Sequence, residues 1–554
     1  MGVKTLRLRW RWRWRSGLAA SLFTVFILVY GTAILDYRSG LSTMVLLATT
    51  SSQNGANLIK EFFRRSVVVL NQDDESFCLS KHESLLYRRN KPQHKPPSAY
   101  LLSRLQKYQS LHRNCGPKTH NYNQALNLLF NPNPNITNHD CKYLIWLPIN
   151  GLANRLLSIV SSFLYAILTD RILLIHQPSN MNSLFCEPFE NTTWLLPSDF
   201  PFKNQFQHFC QAHPSSYGNI IFKNRTMINY PIPALTYLHL TFDYNYNDML
   251  FFCDEYQIPL QKVPWLVLRS DQYFVPSLFL MPKFELELRN LFPEKETVFH
   301  HLGRFLFNPS NVVWGIVKKY YWTNLASADE RIGFQIRDFK TTPMGFNWIK
   351  DRIFNRYLPF ANDESNRRQI TDICNVTTSD KHMMDRIVSC LPKVVIFDQN
   401  PKQIAVLLTS LSSRYYNNIS ELYHLKDSIK IYQPSHEENE HNEKLTHNMK
   451  AWAEIYLLSM MDVLVTSPFS TFGYVAQGLG GLRSWIINCP HREIEPSEDS
   501  CFRTMSIEPC FHLPPYFDCG TKRGTDYGSK VGYVRHCEDL KWGLKLVEHQ
   551  DPPL

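Results

Sequence analysis

No Asp-x-Asp occurs anywhere in this sequence, no Cys-x-x-Cys, and no glycine run of the dinucleotide-binding kind. The first absence removes the commonest sequence mark of a carboxylate-held metal at a diphosphate, so such a site would rest on cationic and N–H donors. The second argues against zinc. Gly478, Gly480 and Gly481 do not form the dinucleotide fingerprint and are better suited to ending a helix than to touching phosphate. Acidic residues are missing from the start of the chain. Asp36 is the first, after Lys4, Arg7, Arg9, Arg11, Arg13 and Arg15 have placed six positive charges. Much of the net charge of +10 therefore sits in one short segment, and the remainder is only mildly basic. Alternating Arg and Trp beside an apolar run suits anionic lipid headgroups better than stacked bases, so no nucleic-acid partner is expected.

What is present begins with that apolar run. Gly17 to Leu35 is uncharged and, as a helix, spans about 28 Å, a match to the hydrocarbon core of a bilayer. Basic residues precede it and only Arg38 follows closely, so the positive-inside rule puts the N-terminus in the cytosol and the rest in the lumen, a single-pass type II topology. The run is longer than a usual signal-peptide core and no Ala-x-Ala closes it. Five Asn-x-Ser/Thr sequons lie beyond it, at Asn135, Asn191, Asn224, Asn375 and Asn418, and 13 cysteines suit an oxidising compartment. The odd cysteine count leaves one thiol unpaired or bridged between chains. Cys501, Cys510 and Cys519 are close enough in sequence to suggest a local staple.

The organisation read along the chain is a cytosolic tail (1–16), a transmembrane signal anchor (17–35), a stem (36–138), an N-terminal α/β domain (139–328), a C-terminal α/β domain (329–515) and a C-terminal tail (516–554). Within the stem, 100–109 and 124–130 look helical enough to pack on the body. The body opens with KYLIWLPI, a strand-length apolar run, then Asn150-Gly151, then a helical pattern with Leu156, Val160, Phe163 and Ile167 on one face, then the strand ILLIH. That is a βαβ unit whose ligand edge carries Gly151, Asn154 and Arg155. Alternation returns with the strands IGFQIRDF and KVVIFDQN, a helix over 403–411, the strand SIKIYQ, a helix around Ala451, Ile455 and Leu458, the strand DVLVTS, a helix from Thr471, and the strand SWIIN. Two doubly wound α/β domains follow from this periodicity.

Three segments offer chemistry. Arg337 ends the strand-like IGFQIRDF, where a planar fork of donors engages two phosphate oxygens at once; pairing with a nearby carboxylate is the plain alternative. In DVLVTSPFSTFGYVAQGLGG a strand runs into Ser467, Ser470 and Thr471 and then into a helix, an anion site by construction and also an ordinary cap. Asp271, in WLVLRSDQYF, is placed to take a proton from an attacking hydroxyl or to stabilise oxocarbenium character, and equally to end a strand in a salt bridge. Glu508 and His512, in CFRTMSIEPCFHLPPYFDC, suit either a sugar-binding wall or a structural lid.

Six long stretches, among them GLANRLLSIVSSFLYAILTDRILL, FFCDEYQIPLQKVPWLVLRSDQYFVPSLFL, IGFQIRDF, KAWAEIYLLSMMDVLVTSPFSTFGYVAQGLGG and MSIEPCFHLPPYFDC, resemble the plant xyloglucan fucosyltransferases in family order. The resemblance implies a GT-B fold, two Rossmann-type domains facing a cleft, and an inverting transfer from GDP-fucose that needs no metal or other cofactor. It implies an α1,2 linkage to a galactose of xyloglucan, with arabinogalactan-protein glycans as the alternative acceptor and a catalytically weak, membrane-tethered glycan-binding protein as the alternative of another class. Arg337 is similar to the family's diphosphate-holding arginine, and Asp271 to an acidic position implicated in the site. Asn154 and Arg155 match the first-domain loop; Ser470, Thr471, Phe472 and Gly473 match the second-domain loop. The chain departs from the family pattern at Ala153, Asp338 and Pro468-Phe469. A Golgi membrane location is expected, with a homodimer left open.

Overall fold

The computed structural model describes residues 77–87, 96–130, 141–176, 183–223, 233–337, 380–394, 402–442, 444–488 and 500–548. The expected anchor lies outside them, and among the described residues no helix is long and apolar enough to cross a membrane. The body from Cys78 onward is one compact unit. After a short helical stretch, 79–87, come two longer helices, α1 (Ala99–Cys115) and α2 (His120–Phe130), which correspond to the helical stretches expected in the stem. Both pack on the body. The Tyr108 hydroxyl donates to the Arg171 carbonyl at 2.8 Å and accepts from the Leu173 N–H at 2.9 Å, while the Trp265 indole donates to the Ala125 carbonyl at 3.2 Å.

Lys142–Leu147 (β1), Arg171–Ile175 (β2), Leu235–Leu240 (β3) and Trp265–Ser270 (β4) form a fully parallel sheet in the order β2-β1-β4-β3. Their near-continuous apolar runs are buried, as parallel strands covered on both faces require. Helix α3 (Leu152–Leu168) makes the crossover from β1 to β2 and buries the face carrying Leu156, Val160, Phe163 and Ile167. Helix α4 (Val298–Leu306) packs beside it.

The second sheet contains Glu330–Gln335 (β5), Ile404–Thr409 (β6), Ile429–Tyr432 (β7), Val463–Thr466 (β8), Trp485–Ile487 (β9) and Cys501–Arg503 (β10). Its order is β10-β9-β8-β5-β6-β7, parallel except for β10. Helix α5 (Leu445–Leu458) leads into β8, and helix α6 (Thr471–Gly480) leads out of it. Two expectations need correction here. The expected helix over 403–411 is strand β6, because IAVLLT is a short apolar run whose type periodicity cannot decide and the sheet buries all six residues. The expected strand KVVIFDQN begins inside a helix, Asp380–Val394, and its remaining residues lie outside those described.

The segment expected as a tail carries a hairpin, Val534–Cys537 (β11) and Leu540–Leu546 (β12), which packs on the body. The cysteines do not staple one another locally. Cys501 bonds Cys390, Cys510 bonds Cys537 and Cys519 bonds Cys253, because the 501–519 segment runs across the body instead of folding on itself. Cys78–Cys186 and Cys115–Cys141 tie the stretch expected as a stem to the residues that flank β1 and β2, and Cys210 carries a free thiol. Of the sequon asparagines, Asn191 and Asn418 are exposed; Asn135, Asn224 and Asn375 lie outside the described residues.

Candidate functional site

Both sheets reverse their winding direction in the middle. In the first, β2 lies on one side of β1 and β4 on the other; in the second, β6 lies on one side of β5 and β8 on the other. The loops leaving adjacent strands at such a point diverge to opposite faces and open a crevice at the carboxyl ends. The crevice of the second sheet is a cleft enclosing about 940 Å³, its open mouth included. One wall is the start of α3, from Gly151 to Asn154. The other carries Gln335 at the end of β5 and Arg337 beyond it, Thr409 at the end of β6 and Ser410 beyond it, Ser435 after β7, one face of α5, and Ser470 to Phe472 at the start of α6. Of the residues singled out from sequence, Asn154, Arg337, Ser470, Thr471 and Phe472 meet in this cleft.

Arg337 is fixed at its backbone, its N–H donating to the Ser467 hydroxyl at 3.0 Å, and its guanidinium lies 3.6 Å from the Glu440 carboxylate. Ser467 in turn donates its N–H to the Gln335 carbonyl, so the loops after β5 and β8 are stitched together. Ser470 is the cap of α6 and accepts from the Gly473 N–H at 3.4 Å. Thr471 and Phe472 bring the first turn of that helix, its positive dipole end, to the cleft edge. Gly473 does not line the cleft. A Cβ there would come within 2.7 Å of the Thr466 methyl, so glycine lets α6 start tight against β8. Gln335 is 5% exposed and its side-chain oxygen has no hydrogen-bond partner among the described residues, a buried acceptor left for something else in the cleft. Among the described residues no group of three His, Cys, Asp or Glu side chains is placed to hold a metal.

Arg155 and Asp271 stand behind the cleft. Asn150 adopts a left-handed conformation with φ 60°, Arg155 Nε donates to its carbonyl at 2.8 Å, and its side-chain amide donates to Asp271 at 2.6 Å. Asp271 also accepts from the Phe242 N–H at 3.0 Å and the Gln272 amide at 2.7 Å, while Arg269 turns away to the carbonyls of Phe206 and Phe209. Burial outweighs those donors and pushes the Asp271 carboxyl up to about 6. The carboxylate thus braces the turn that presents Gly151 and Asn154. Glu508 is likewise internal, accepting from the Tyr273 hydroxyl and the Phe299 N–H, and burial raises it to about 8. It straps the 505–517 segment to Tyr273 and Phe299 and does not line the cleft.

Sequence reasoning missed the face of α5. Glu454, 8% exposed, accepts from the Ser435 hydroxyl at 2.6 Å and is pushed up to about 8 by burial; His447 is lowered by burial with Glu437 opposing. The available signal was the spacing of His447, Lys450 and Glu454, which puts polar groups on one face of an otherwise apolar helix. Of the later glycines, Gly481, with φ 64°, ends α6 as expected, whereas Gly478 lies within the helix and instead admits Phe299 of α4 where a Cβ would clash at 2.4 Å.

A family model for xyloglucan fucosyltransferase matches residues 66–520. The chain belongs to that family. Over 486 residues it is 46% identical to a galactoside 2-alpha-L-fucosyltransferase of Pisum sativum, covering 86% of this chain and 80% of the relative. It is 40% identical over 553 residues to a probable fucosyltransferase 7 of Arabidopsis thaliana, covering 95% and 98%. A solved structure of a mutant Arabidopsis thaliana FUT1 in complex with GDP superposes with a TM-score of 0.72 at 44% identity, covering 86% of this chain and 98% of that one. The mixed α/β fold with parallel sheets is therefore that of a xyloglucan fucosyltransferase family member.

Proposed function

We propose that this chain is a GT-B enzyme that transfers L-fucose from GDP-fucose to a galactose hydroxyl of xyloglucan, with inversion and an α1,2 linkage, during cell-wall synthesis. The observation that carries the reading is the convergence of Arg337 and the α6 N-terminus in one cleft at the winding reversal of a parallel sheet. Arg337 and the first turn of α6 hold the diphosphate, and Asn154 faces them from the opposite wall. The acceptor hydroxyl attacks the anomeric carbon of fucose from the side away from the nucleotide. The bond from that carbon to the phosphate oxygen breaks, and GDP leaves with the electron pair. Negative charge grows on the diphosphate as this happens, so a fixed guanidinium and helix-end N–H groups stabilise the transition state more than the bound donor. Asp271 holds the Asn150 turn in place, and the acceptor's proton passes to solvent or to a cleft base.

The charge pattern around 17–35, the sequons and the disulfides support a type II Golgi membrane protein with this body in the lumen. The test is GDP release by the full-length chain in detergent, with GDP-fucose and either xyloglucan or arabinogalactan oligosaccharides, followed by linkage analysis. Fucose at O2 of galactose on xyloglucan is expected. Turnover on the arabinogalactan alone would reassign the acceptor, and glycan binding without GDP release would remove the enzymatic reading.

A further inference from the structure

The loop between β8 and α6 contains a backbone conformation that its residue resists. Phe469 has φ 57°, a left-handed region that side chains other than Gly, Asn and Asp seldom adopt, and it immediately precedes the cap Ser470. Something must hold it. Its N–H donates to Asp539 Oδ2 at 2.9 Å, and the Tyr474 hydroxyl, one turn into α6, donates to the same oxygen at 2.6 Å. Asp539 comes from far along the chain, on the two-residue turn of the β11–β12 hairpin.

The hairpin is itself anchored on several sides. Cys510–Cys537 bonds one strand to the preceding segment, and Phe511 and Leu544 exchange backbone hydrogen bonds at 2.7 and 3.0 Å. Next to Asp539, Glu538 accepts from the Met505 N–H and pairs with Lys545 at 2.9 Å. Its turn is therefore a fixed post. A carboxylate on that post grips both ends of the Phe469–Tyr474 segment, and Ser470, Thr471 and Phe472 between them line the cleft.

We propose that Asp539 is a positioning residue for donor binding, holding the phosphate-side loop with Phe469 left-handed so that Ser470 caps α6 and Thr471 and Phe472 face the diphosphate. This rests on the donor-cleft reading above. Because the hold acts by fixing a backbone shape, glycine at 469 should reduce the need for it.

The test is GDP titration by calorimetry and GDP-fucose kinetics on the full-length protein in detergent, comparing wild type, Asp539→Ala, Phe469→Gly and the double variant, each with its melting temperature. A wild type that takes up no GDP would end the donor-cleft reading itself. Given wild-type binding, Asp539→Ala is expected to raise the GDP dissociation constant and the donor KM about tenfold, the acceptor KM staying put. The double variant should return to within about threefold of wild type. GDP affinity unchanged in Asp539→Ala, or a double variant as weak as the single one, would overturn the proposal. If Asp539→Ala does not fold, Asp539→Asn and Tyr474→Phe take its place: a weaker donor KM in either supports the hold, and wild-type values in both overturn it.

Discussion

Removing the Arg337 side chain as alanine is the most direct test of where the diphosphate sits. Two charge-assisted hydrogen bonds to phosphate oxygens contribute about 1.5–3 kcal/mol each. Part of that is offset in the wild type, because the guanidinium is 3.6 Å from Glu440 and must give up some of that pairing to take a phosphate. Both groups are about a third exposed, so the pair is screened and the offset is about 1 kcal/mol at most. The net loss is then about 2–5 kcal/mol, which at 1.4 kcal/mol per decade lowers kcat/KM for GDP-fucose by roughly thirtyfold to several thousandfold. The arginine's backbone N–H bond to Ser467 survives the change, so the fold should not suffer and the melting temperature should stay within a few degrees. Arg337→Lys should fall between the two, since a point charge replaces a two-pronged donor. GDP release by the alanine variant within threefold of wild type would refute the placement of the diphosphate at this arginine.

Three further outcomes follow from the same geometry. Glu454 is raised by burial from its ordinary range to about 8, so the folded state favours its neutral form: the stability this contributes is full below about pH 4.5 and is lost as pH rises toward 8. Glu454→Gln, which cannot ionise and keeps an oxygen for Ser435, should flatten the fall in melting temperature over that window, on the order of 4 kcal/mol in all; an unchanged profile would show that Glu454 ionises normally. Gly473→Ala places a methyl 2.7 Å from the Thr466 side chain and should push the start of α6 off β8, costing about 1–3 kcal/mol of stability and loosening GDP binding; wild-type GDP affinity would refute the tight seat. Asn191 and Asn418 are exposed, so each change to Gln should remove one glycosidase-sensitive step in electrophoretic mobility; no loss at either position would count against a lumenal body.

The legible parts of the fold were those in which a local pattern had one physical meaning. KYLIWL, ILLI and VLVT are too short and too uniformly apolar to be anything but buried strands beside turn residues, and Asn150-Gly151 and Ser470-Thr471 mark helix starts. IAVLLT misled because a six-residue apolar run reads equally as part of a helix when the breaker Asn400-Pro401 ahead of it is taken as a helix start, and the neighbours β5 and β7 decide it. The site divided along the same line. Arg337 and Ser470 follow directly from strand ends, whereas Glu454 depends on which face of α5 meets the cleft, and Asp539 on a pairing 70 residues away from Phe469. Disulfide partners were beyond reach for the same reason: Cys253 and Cys519 are separated by 266 residues.

That dependence on distant partners bears on how the donor is held. Among the described residues no single element around the cleft makes a strong anion site: Arg337 is partly paired with Glu440, Lys450 with Glu437, and the dipole of the α6 end fades within a turn. Their effect comes from being fixed relative to each other, because donors that need no rearrangement as charge develops stabilise it at no reorganisation cost. Ser467 joins the β5 and β8 loops, Gly473 sets α6 against β8, the Asp539 hairpin grips the loop from below, and Asp271 braces the facing turn through Asn150. The side chains of Ser467, Asp539 and Asp271 that make these contacts are not among those proposed to hold the diphosphate. Substitutions at such positions should therefore act on donor affinity and turnover without altering any group that touches the nucleotide, and a kinetic defect far from the cleft is the expected signature of a site built by bracing.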